Sequence, residues 1–271
     1  MLTRCKPLLG TFVEISIDHD DDFNAIEHAF NAITKIQELM GFHQPKSELN
    51  RINRHAHTQA VDVHPWTAQV LRIAKEIHRH SHGLFNCGIG HRLVAAGLLP
   101  RHIDYSNHKL GGIEDICFLT TELITAYRPV CLDLGGIAKG FAVDRAIDAL
   151  EQHGISSAVV NAGGDMRVLG QHPEAVYIRD PHDPKTMIHA GELSDGAIAT
   201  SGIYFSKNLS IDCNASALVN PLQRESVMVA NSFSVLASTC MLADGLTKVL
   251  AVGRNPTATY FTEFGAQAVI L

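Results

Sequence analysis

The run from Asp133 to Asp144 combines side chains that suit the binding of a phosphate or a nucleotide. Two adjacent glycines, Gly135 and Gly136, stand between an extended segment and a helical pattern, and Lys139 follows in the first helical turn. Backbone N–H groups at such a helix entrance favour an anion, and a nearby lysine adds a full positive charge. A glycine turn that only begins a helix explains the same pattern, and Asp133 suits helix capping as well as ligand contact.

Two further carboxylates stand in glycine-rich or apolar surroundings. Asp165 closes the sequence Asn161-Ala-Gly-Gly-Asp, where an acidic residue is more often a turn residue than a catalytic one. Asp244 lies in an apolar helical pattern, so its carboxylate needs a partner if it is buried. Mg²⁺ would be one such partner, and Lys248, four residues later on the same helix face, is the alternative. Asp244 and Lys248 are therefore candidates for catalytic chemistry.

Other metal and nucleophile motifs are weaker or missing. His78 and His82, among 16 histidines, have a spacing that permits metal binding from one helix face, although a solvated helix end gives the same spacing. Six cysteines without a Cys-x-x-Cys pair favour reduced thiols over a zinc site or a disulfide framework. The sequence contains no Gly-x-Ser-x-Gly elbow, Walker A loop or GxGxxG. We therefore expect neither a standard serine hydrolase nor a P-loop nucleotidase.

The composition indicates a globular chain with a substantial core. Of 271 residues 46% are hydrophobic, and the net charge of -6 gives no attraction for nucleic acid or an anionic membrane. No apolar run approaches the roughly 20 residues that span a bilayer, so no transmembrane segment is expected. The first residues lack the apolar core of a secretory signal, which predicts a cytoplasmic protein. A truncated start would leave a periplasmic or membrane-anchored location open.

Hydrophobic periodicity predicts both helices and strands. Residues 47–53 are predicted to form a polar loop. The predicted helices are 26–40, 66–80, 138–153 and 239–251, and the predicted strands are 10–17, 158–160, 166–169, 175–179, 197–200, 227–229 and 233–236. This order favours an α+β fold with mixed, largely antiparallel sheets and packed helices over a doubly wound sheet.

Six segments resemble, in order, motifs of the ApbE family, the FAD:protein FMN transferases. They are Leu9–Thr11, Ser47–Asn53, Asp133–Gly140, Asn161–Asp165, Ala199–Gly202 and Met241–Asp244. The resemblance covers nearly the whole chain and implies a single domain, residues 1–271, of two intertwined lobes. It implies that FAD binds between the lobes and that Mg²⁺ bridges its pyrophosphate. Members of the family transfer FMN to a Thr or Ser of an acceptor flavoprotein and release AMP, and some hydrolyse FAD to FMN and AMP.

The resemblance also implies roles for individual residues. The implied metal ligands are the carbonyl of Gly136, the carboxylate of Asp244 and the hydroxyl of Thr247. The residues implied to bind FAD are Leu9, Ser47, Asn53, Asp133, Gly135, Gly136, Lys139, Gly163, Gly164, Asp165, Thr200, Ser201 and Gly202.

Three segments depart from the family's motifs. Phe-Asp-Pro-Thr is replaced by Phe85–Gly88, and His-x-x-Asp-Pro-x-Thr-Gly by Ala217–Arg224, which lacks the histidine expected to act as a base. Asp-x-x-x-Thr becomes Asp244-Gly-Leu-Thr-Lys248, which places an ammonium at a metal-ligand position. Loss of a general base typically costs about 10²- to 10⁴-fold in rate. The sequence therefore leaves three hypotheses: an FMN transferase, a non-catalytic or weakly active FAD-binding protein, and an FAD pyrophosphatase.

Overall fold

A computed structural model describes residues 2–18, 23–105, 109–183, 185–202 and 216–271. The helices in these ranges are α1 (Phe23–Met40), α2 (Glu48–His55), α3 (Pro65–His80), α4 (Gly90–Ala95), α5 (Ala138–Gln152), α6 (Cys240–Gly253) and α7 (Thr259–Glu263). The strands are β1 (Leu2–Leu8), β2 (Thr11–Ile17), β3 (Val61–Asp62), β4 (Ile116–Phe118), β5 (Leu123–Ala126), β6 (Ala158–Ala162), β7 (Asp165–Leu169), β8 (Glu174–Arg179), β9 (Met187–Leu193), β10 (Gly196–Gly202), β11 (Val219–Asn220), β12 (Glu225–Ser226), β13 (Ser232–Ala237) and β14 (Gln267–Ile270).

Two compact units divide the chain. The first unit contains Met1–Gln37, Ile137–Tyr204 and Ala230–Leu271, and the second contains Glu38–Gly136 and Phe205–Val229. None of the helices in the described ranges is both long enough and apolar enough to cross a bilayer.

The first unit is built on a seven-stranded sheet in the order β1-β2-β6-β7-β10-β13-β14. Every neighbouring pair in it is antiparallel. Helices α5 and α6 pack against each other and against the inner strands of the sheet. On β2 the residues Val13, Ile15 and Ile17 are fully buried, which confirms the alternation read from the sequence. The predicted α+β class with largely antiparallel sheet is therefore confirmed.

The second unit contains a three-stranded sheet, β3-β5-β4, together with helices α2, α3 and α4. Helix α3 matches the predicted helix closely. Its predicted inward residues are all fully buried: Val70, Leu71, Ala74 and Ile77. His82 lies beyond the end of α3 with a φ of 52°, so His78 and His82 do not share a helix face. Nδ1 of His78 instead contacts the carbonyl oxygen of Phe85 at 2.8 Å.

Two local predictions were wrong. Residues 48–55 form helix α2 and not a loop, because Ser47 caps it and the apolar residues Leu49 and Ile52, three apart, are buried. Residues 227–229 are not a strand, since pairing with β11 is carried by β12, and Val227 adds one further hydrogen bond to Leu218 at 2.7 Å.

The strands at the two edges of the large sheet, β1 and β14, were not predicted. Both are largely exposed, so they carry little of the apolar alternation that marks a half-buried strand.

The five described cysteines are free thiols, as predicted, and Cys213 lies outside the described residues.

Candidate functional site

Helices α5 and α6 lie close together at Gly140. A Cβ on this residue would lie 2.8 Å from Cβ of Asp244 and would also collide with the backbone of Cys240. This closeness lets the amide of Gly140 donate to Oδ2 of Asp244 at 3.0 Å. The carboxylate therefore accepts a hydrogen bond in the first turn of α5, where the helix dipole stabilises negative charge.

Asp244 is fully buried, and both of its carboxylate oxygens have partners. Oδ1 forms an ion pair with Nζ of Lys248 one turn later, as the i,i+4 spacing allows. The same ammonium lies 3.1 Å from Oγ1 of Thr247. An ion pair within α6 thus satisfies the charge that Asp244 brings into the core.

The hydroxyl of Thr247 has used all of its hydrogen-bonding capacity. It donates to the carbonyl oxygen of Asp244 at 2.7 Å, so it accepts from Lys248 and from Oγ of Ser201, which lies 2.8 Å away. One O–H donor and two acceptor lone pairs are the full complement of a threonine side chain. Ser201 on β10 is therefore joined to α6 through this hydroxyl.

A second ion pair joins Lys139 on α5 to Asp165 at the start of β7. The Asp165 side chain is buried, and burial together with the charge of Asp244 raises its pKa, against the opposing effect of Lys139 and Lys248. Burial opposes the charge on Lys139, but the carboxylates of Asp165 and Asp244 outweigh this and raise its pKa. Lys139 is therefore protonated at neutral pH. We call Lys139, Asp165, Asp244 and Lys248 the four-charge cluster.

Two tight turns lie at the same end of the large sheet. Leu9-Gly10 joins β1 to β2, and Gly163-Gly164 joins β6 to β7; all four residues have positive φ, from 56° to 103°. Two-residue turns of this kind match the twist of the strands that they connect. A Cβ at Gly163 would lie 2.5 Å from Oγ1 of Thr11, which shows how closely the two hairpins approach.

The strand register brings further predicted residues to this end of the sheet. Ala199 on β10 pairs with Asp165, so the next residues, Thr200, Ser201 and Gly202, continue past the Gly163-Gly164 turn. Thr200 itself hydrogen-bonds through its hydroxyl to Ser234 at 2.9 Å. Within the first unit the structure therefore gathers the following predicted residues: Leu9, Lys139, Gly163, Gly164, Asp165, Thr200, Ser201, Gly202, Asp244, Thr247 and Lys248.

The chain has relatives among known proteins. The sequence profile of the ApbE family matches residues 9–270. The chain belongs to the ApbE family.

Two relatives illustrate this membership, and one solved structure shows the same fold. An FAD:protein FMN transferase of Rhodobacter capsulatus is 30% identical over 230 residues, which are 78% of this chain but 43% of the relative. The chain therefore spans less than half the length of that relative. An FAD:protein FMN transferase of Vibrio cholerae serotype O1 is 27% identical over 235 residues, 81% of this chain and 70% of the relative. The crystal structure of the ApbE protein of Thermotoga maritima has a TM-score of 0.83 at 23% identity, covering 99% of this chain and 93% of that one.

The remaining predicted residues of this ApbE chain lie in the second unit. Ser47 accepts a hydrogen bond from the amide of Asn50 at 3.2 Å as the N-cap of α2. Asn53 bonds both the amide and the carbonyl oxygen of Leu132, at 2.8 and 2.9 Å. Both side chains therefore have structural roles, and their contact with FAD stays a prediction.

Asp133, Gly135 and Gly136 occupy the segment that leads into α5. The amide of Asp133 donates to the carbonyl oxygen of Cys87 at 2.8 Å. The N-cap of α5 is Ile137, four residues after Asp133, and it makes no side-chain capping bond. Gly135 is exposed, and a Cβ there would lie 3.2 Å from Oδ2 of Asp133. Asp133 is therefore not the N-cap residue of α5, and the predicted FAD contact of these three residues stays a prediction.

Asp144 is an important residue whose role the sequence did not reveal. Its carboxylate accepts from the amides of Cys240 and Met241, at 2.9 and 2.8 Å, and so caps the start of α6 from a position on α5. Nη1 of Arg167 donates to the same carboxylate at 2.8 Å. Burial raises the pKa of Asp144, although these three donors oppose the shift. Asp144 lies 96 residues before Cys240, so this cap produces no local sequence pattern of the kind that marks a helix start.

Two of the ApbE motif departures can be located as well. Ala217, where the motif has histidine, is exposed. Asn86, where the motif has aspartate, accepts from the amides of Gly88 and Ile113 at 2.8 and 3.0 Å and donates to Glu114 at 2.8 Å. Asn86 thus holds the backbone at Gly88 and Ile113 in place through these hydrogen bonds.

Proposed function

We propose that this chain binds FAD and transfers FMN to a threonine or serine of an acceptor flavoprotein, with release of AMP. The observation that carries the proposal is the four-charge cluster, together with the Leu9-Gly10 and Gly163-Gly164 turns at one end of the large sheet. It sits in a chain whose named relatives are FAD:protein FMN transferases. In this cluster each ammonium is held by a buried carboxylate.

The cluster suits the chemistry of a diphosphate. In the transfer, the acceptor hydroxyl oxygen bonds to the phosphorus of FMN, the bond from that phosphorus to the bridging oxygen breaks so that this oxygen leaves on AMP, and the hydroxyl proton passes to solvent. Negative charge grows on the leaving phosphate, where fixed positive groups stabilise it. Lys139 and Lys248 are such groups, and their carboxylate partners fix their positions. Asp244 and Lys248 remain the candidates for a catalytic role.

Mg²⁺ does not fit the residues that the resemblance assigned to it. Both oxygens of Asp244 are engaged, by Lys248 and by Gly140, and the hydroxyl of Thr247 is saturated. Within the described residues, no group of three or more His, Cys, Asp or Glu side chains is placed to hold a metal ion. We therefore derive no catalytic step through a metal, and the predicted metal and FAD contacts of Gly136 stay predictions.

The proposal is tested with purified protein, FAD and an acceptor domain that the Vibrio cholerae relative flavinylates. Release of AMP, followed by chromatography, together with covalent flavin on the acceptor would support transfer. Acceptor in which every Thr and Ser of the flavinylated segment is Ala is the control. Absence of both AMP and flavin labelling, with and without Mg²⁺, would reject transferase activity.

Ala217 favours a second candidate, an FAD-binding protein with little or no turnover. The side chain at this position is exposed and carries no base, and the loss of a base lowers rates by about 10²- to 10⁴-fold. Saturable FAD binding without AMP release would select this candidate. Free FMN formed in the absence of acceptor would instead select the FAD pyrophosphatase.

A further inference from the structure

Lys248 contacts the two side chains that the resemblance implied to be metal ligands, those of Asp244 and Thr247. We propose that its ammonium takes the place of a divalent cation and donates to a diphosphate oxygen of bound FAD, so that the nucleotide binds without metal. The inference rests on the proposed function, since it takes FAD as the ligand.

The contacts of Lys248 carry the first part of the inference. Its ammonium touches the carboxylate of Asp244 and the hydroxyl of Thr247, the two side chains that were implied to bind Mg²⁺. In the described part of the chain these contacts engage two of its three N–H donors. The side chain is 22% exposed, whereas Asp244 is fully buried. One donor is therefore left for a ligand on the open side of the ammonium.

Charge balance carries the second part. The two lysines and two aspartates of the four-charge cluster sum to zero when all are ionised. A divalent ion at Asp244 would add two positive charges beside the ammoniums of Lys248 and Lys139, and no further carboxylate in the cluster would compensate them. Without bound FAD, the ammonium of Lys248 therefore disfavours Mg²⁺ at Asp244, and it already contacts the carboxylate and the hydroxyl that the ion would need. Since a lysine is part of the chain, its charge is present at any metal concentration.

The unaltered protein gives the first test. FAD is titrated in excess EDTA and in millimolar Mg²⁺, with binding followed by quenching of flavin fluorescence. We expect dissociation constants that agree within about twofold, because no metal takes part. Binding that weakens about tenfold or more in EDTA would overturn the inference and leave the proposed function standing. Failure to bind FAD in either buffer would instead reject the proposed function.

Two substitutions at Lys248 give the second test. Lys248→Met removes the charge without adding an oxygen, and we expect about tenfold or more weaker FAD binding in both buffers. Lys248→Thr restores the hydroxyl of the family motif, so the same loss in EDTA should be recovered with Mg²⁺. Mn²⁺ binding, measured by electron paramagnetic resonance, should appear in Lys248→Thr and not in the unaltered chain. A Lys248→Thr protein that binds FAD in EDTA as well as the unaltered chain does would contradict the inference.

Folding is controlled separately, because either substitution leaves Asp244 buried without its cation. Adding Asp244→Asn to Lys248→Met neutralises both groups, and this protein should still bind FAD about tenfold more weakly. If it binds as tightly as the unaltered chain, Lys248 has no role in FAD binding.

Adding Ala217→His to Lys248→Thr should give Mg²⁺-dependent AMP release above that of the unaltered chain. Unchanged AMP release would place Lys248 outside the metal-ligand position of the motif.

Discussion

The amide of Gly140 on α5 donates to the carboxylate of Asp244 on α6 at 3.0 Å. Only a residue without a side chain permits this contact, since a Cβ would lie 2.8 Å from Cβ of Asp244. Lys139, the residue before Gly140, forms an ion pair with a different carboxylate, that of Asp165. The absence of a side chain at Gly140 therefore lets α5, which carries Lys139, lie close to α6, which carries Asp244 and Lys248.

We expect Gly140→Ala to lower the free energy of unfolding by about 2 to 3 kcal/mol, because α6 must move away from α5. The matched control is Gly196→Ala in the same unit, where the new Cβ would lie 3.1 Å from the flexible end of Leu193 and at ordinary contact distance, 3.6 and 3.8 Å, from two backbone oxygens. That change should cost less than about 1 kcal/mol. Urea unfolding at neutral pH measures both, and equal losses would show that the helix contact at Gly140 is not tight.

Asp144 caps α6 and neutralises Arg167, so its removal should be more costly than that of an ordinary surface acid. Asp144→Ala leaves two amides and a guanidinium without their carboxylate, and we expect a loss of about 3 to 5 kcal/mol in the free energy of unfolding. Asp148→Ala on the same helix is the control. The side chains of Asp148 and its partner Arg145 are each 27% exposed, so the cost should stay below about 1 kcal/mol.

A smaller loss in Asp144→Ala than in Asp148→Ala would contradict the capping role. The double variant Asp144→Ala and Arg167→Leu gives a further check. It removes the unpaired guanidinium, so part of the loss should be recovered.

The long helices were predictable because each carries its own apolar stripe. α1, α3, α5 and α6 each begin and end within a few residues of the predicted bounds. The ion pair between Asp244 and Lys248 was one of two alternatives, since i,i+4 partners follow from helix geometry alone. Local sequence could not choose between that pair and a metal, because both use the same carboxylate.

The contacts between distant segments were beyond the sequence. Lys139 meets Asp165 only because α5 packs on the hairpin of β6 and β7. Asp144 meets the start of α6 for a similar reason, through the packing of α5 on α6. Neither pairing has a spacing that periodicity can express, so the four-charge cluster emerges only when the sheet and its two helices are assembled.

Two buried thiols predict a loss of stability at alkaline pH. Burial raises the pKa of Cys131 to about 12 and, together with nearby carboxylates, raises that of Cys240 well above its ordinary value. Unfolded cysteine ionises near pH 9, so above that pH the unfolded chain binds fewer protons than the folded chain. The free energy of unfolding should then fall by up to about 1.4 kcal/mol per pH unit for each thiol.

Urea unfolding between pH 8 and about 10.5 measures this dependence. Cys131→Ala removes one thiol and should make the decline with pH shallower, whatever its effect on stability at pH 8. Cys5→Ala is the control, because Cys5 is exposed. A slope that is the same in Cys131→Ala and in the unaltered chain would mean that the Cys131 thiol does not stay protonated in the folded state.

The pair of Lys139 and Asp165 allows binding to be separated from folding. Lys139→Met leaves Asp165 buried beside Asp244 without its cation, so we expect the free energy of unfolding to fall by about 3 to 5 kcal/mol. In the double variant Lys139→Met and Asp165→Asn neither group is charged, and most of that stability should return. If Lys139 binds the diphosphate of FAD, affinity should stay about tenfold or more weaker in both proteins. Thermal unfolding and FAD titration of the same samples give the two quantities. Recovery of FAD affinity together with stability in the double variant would show that Lys139 acts only through the fold.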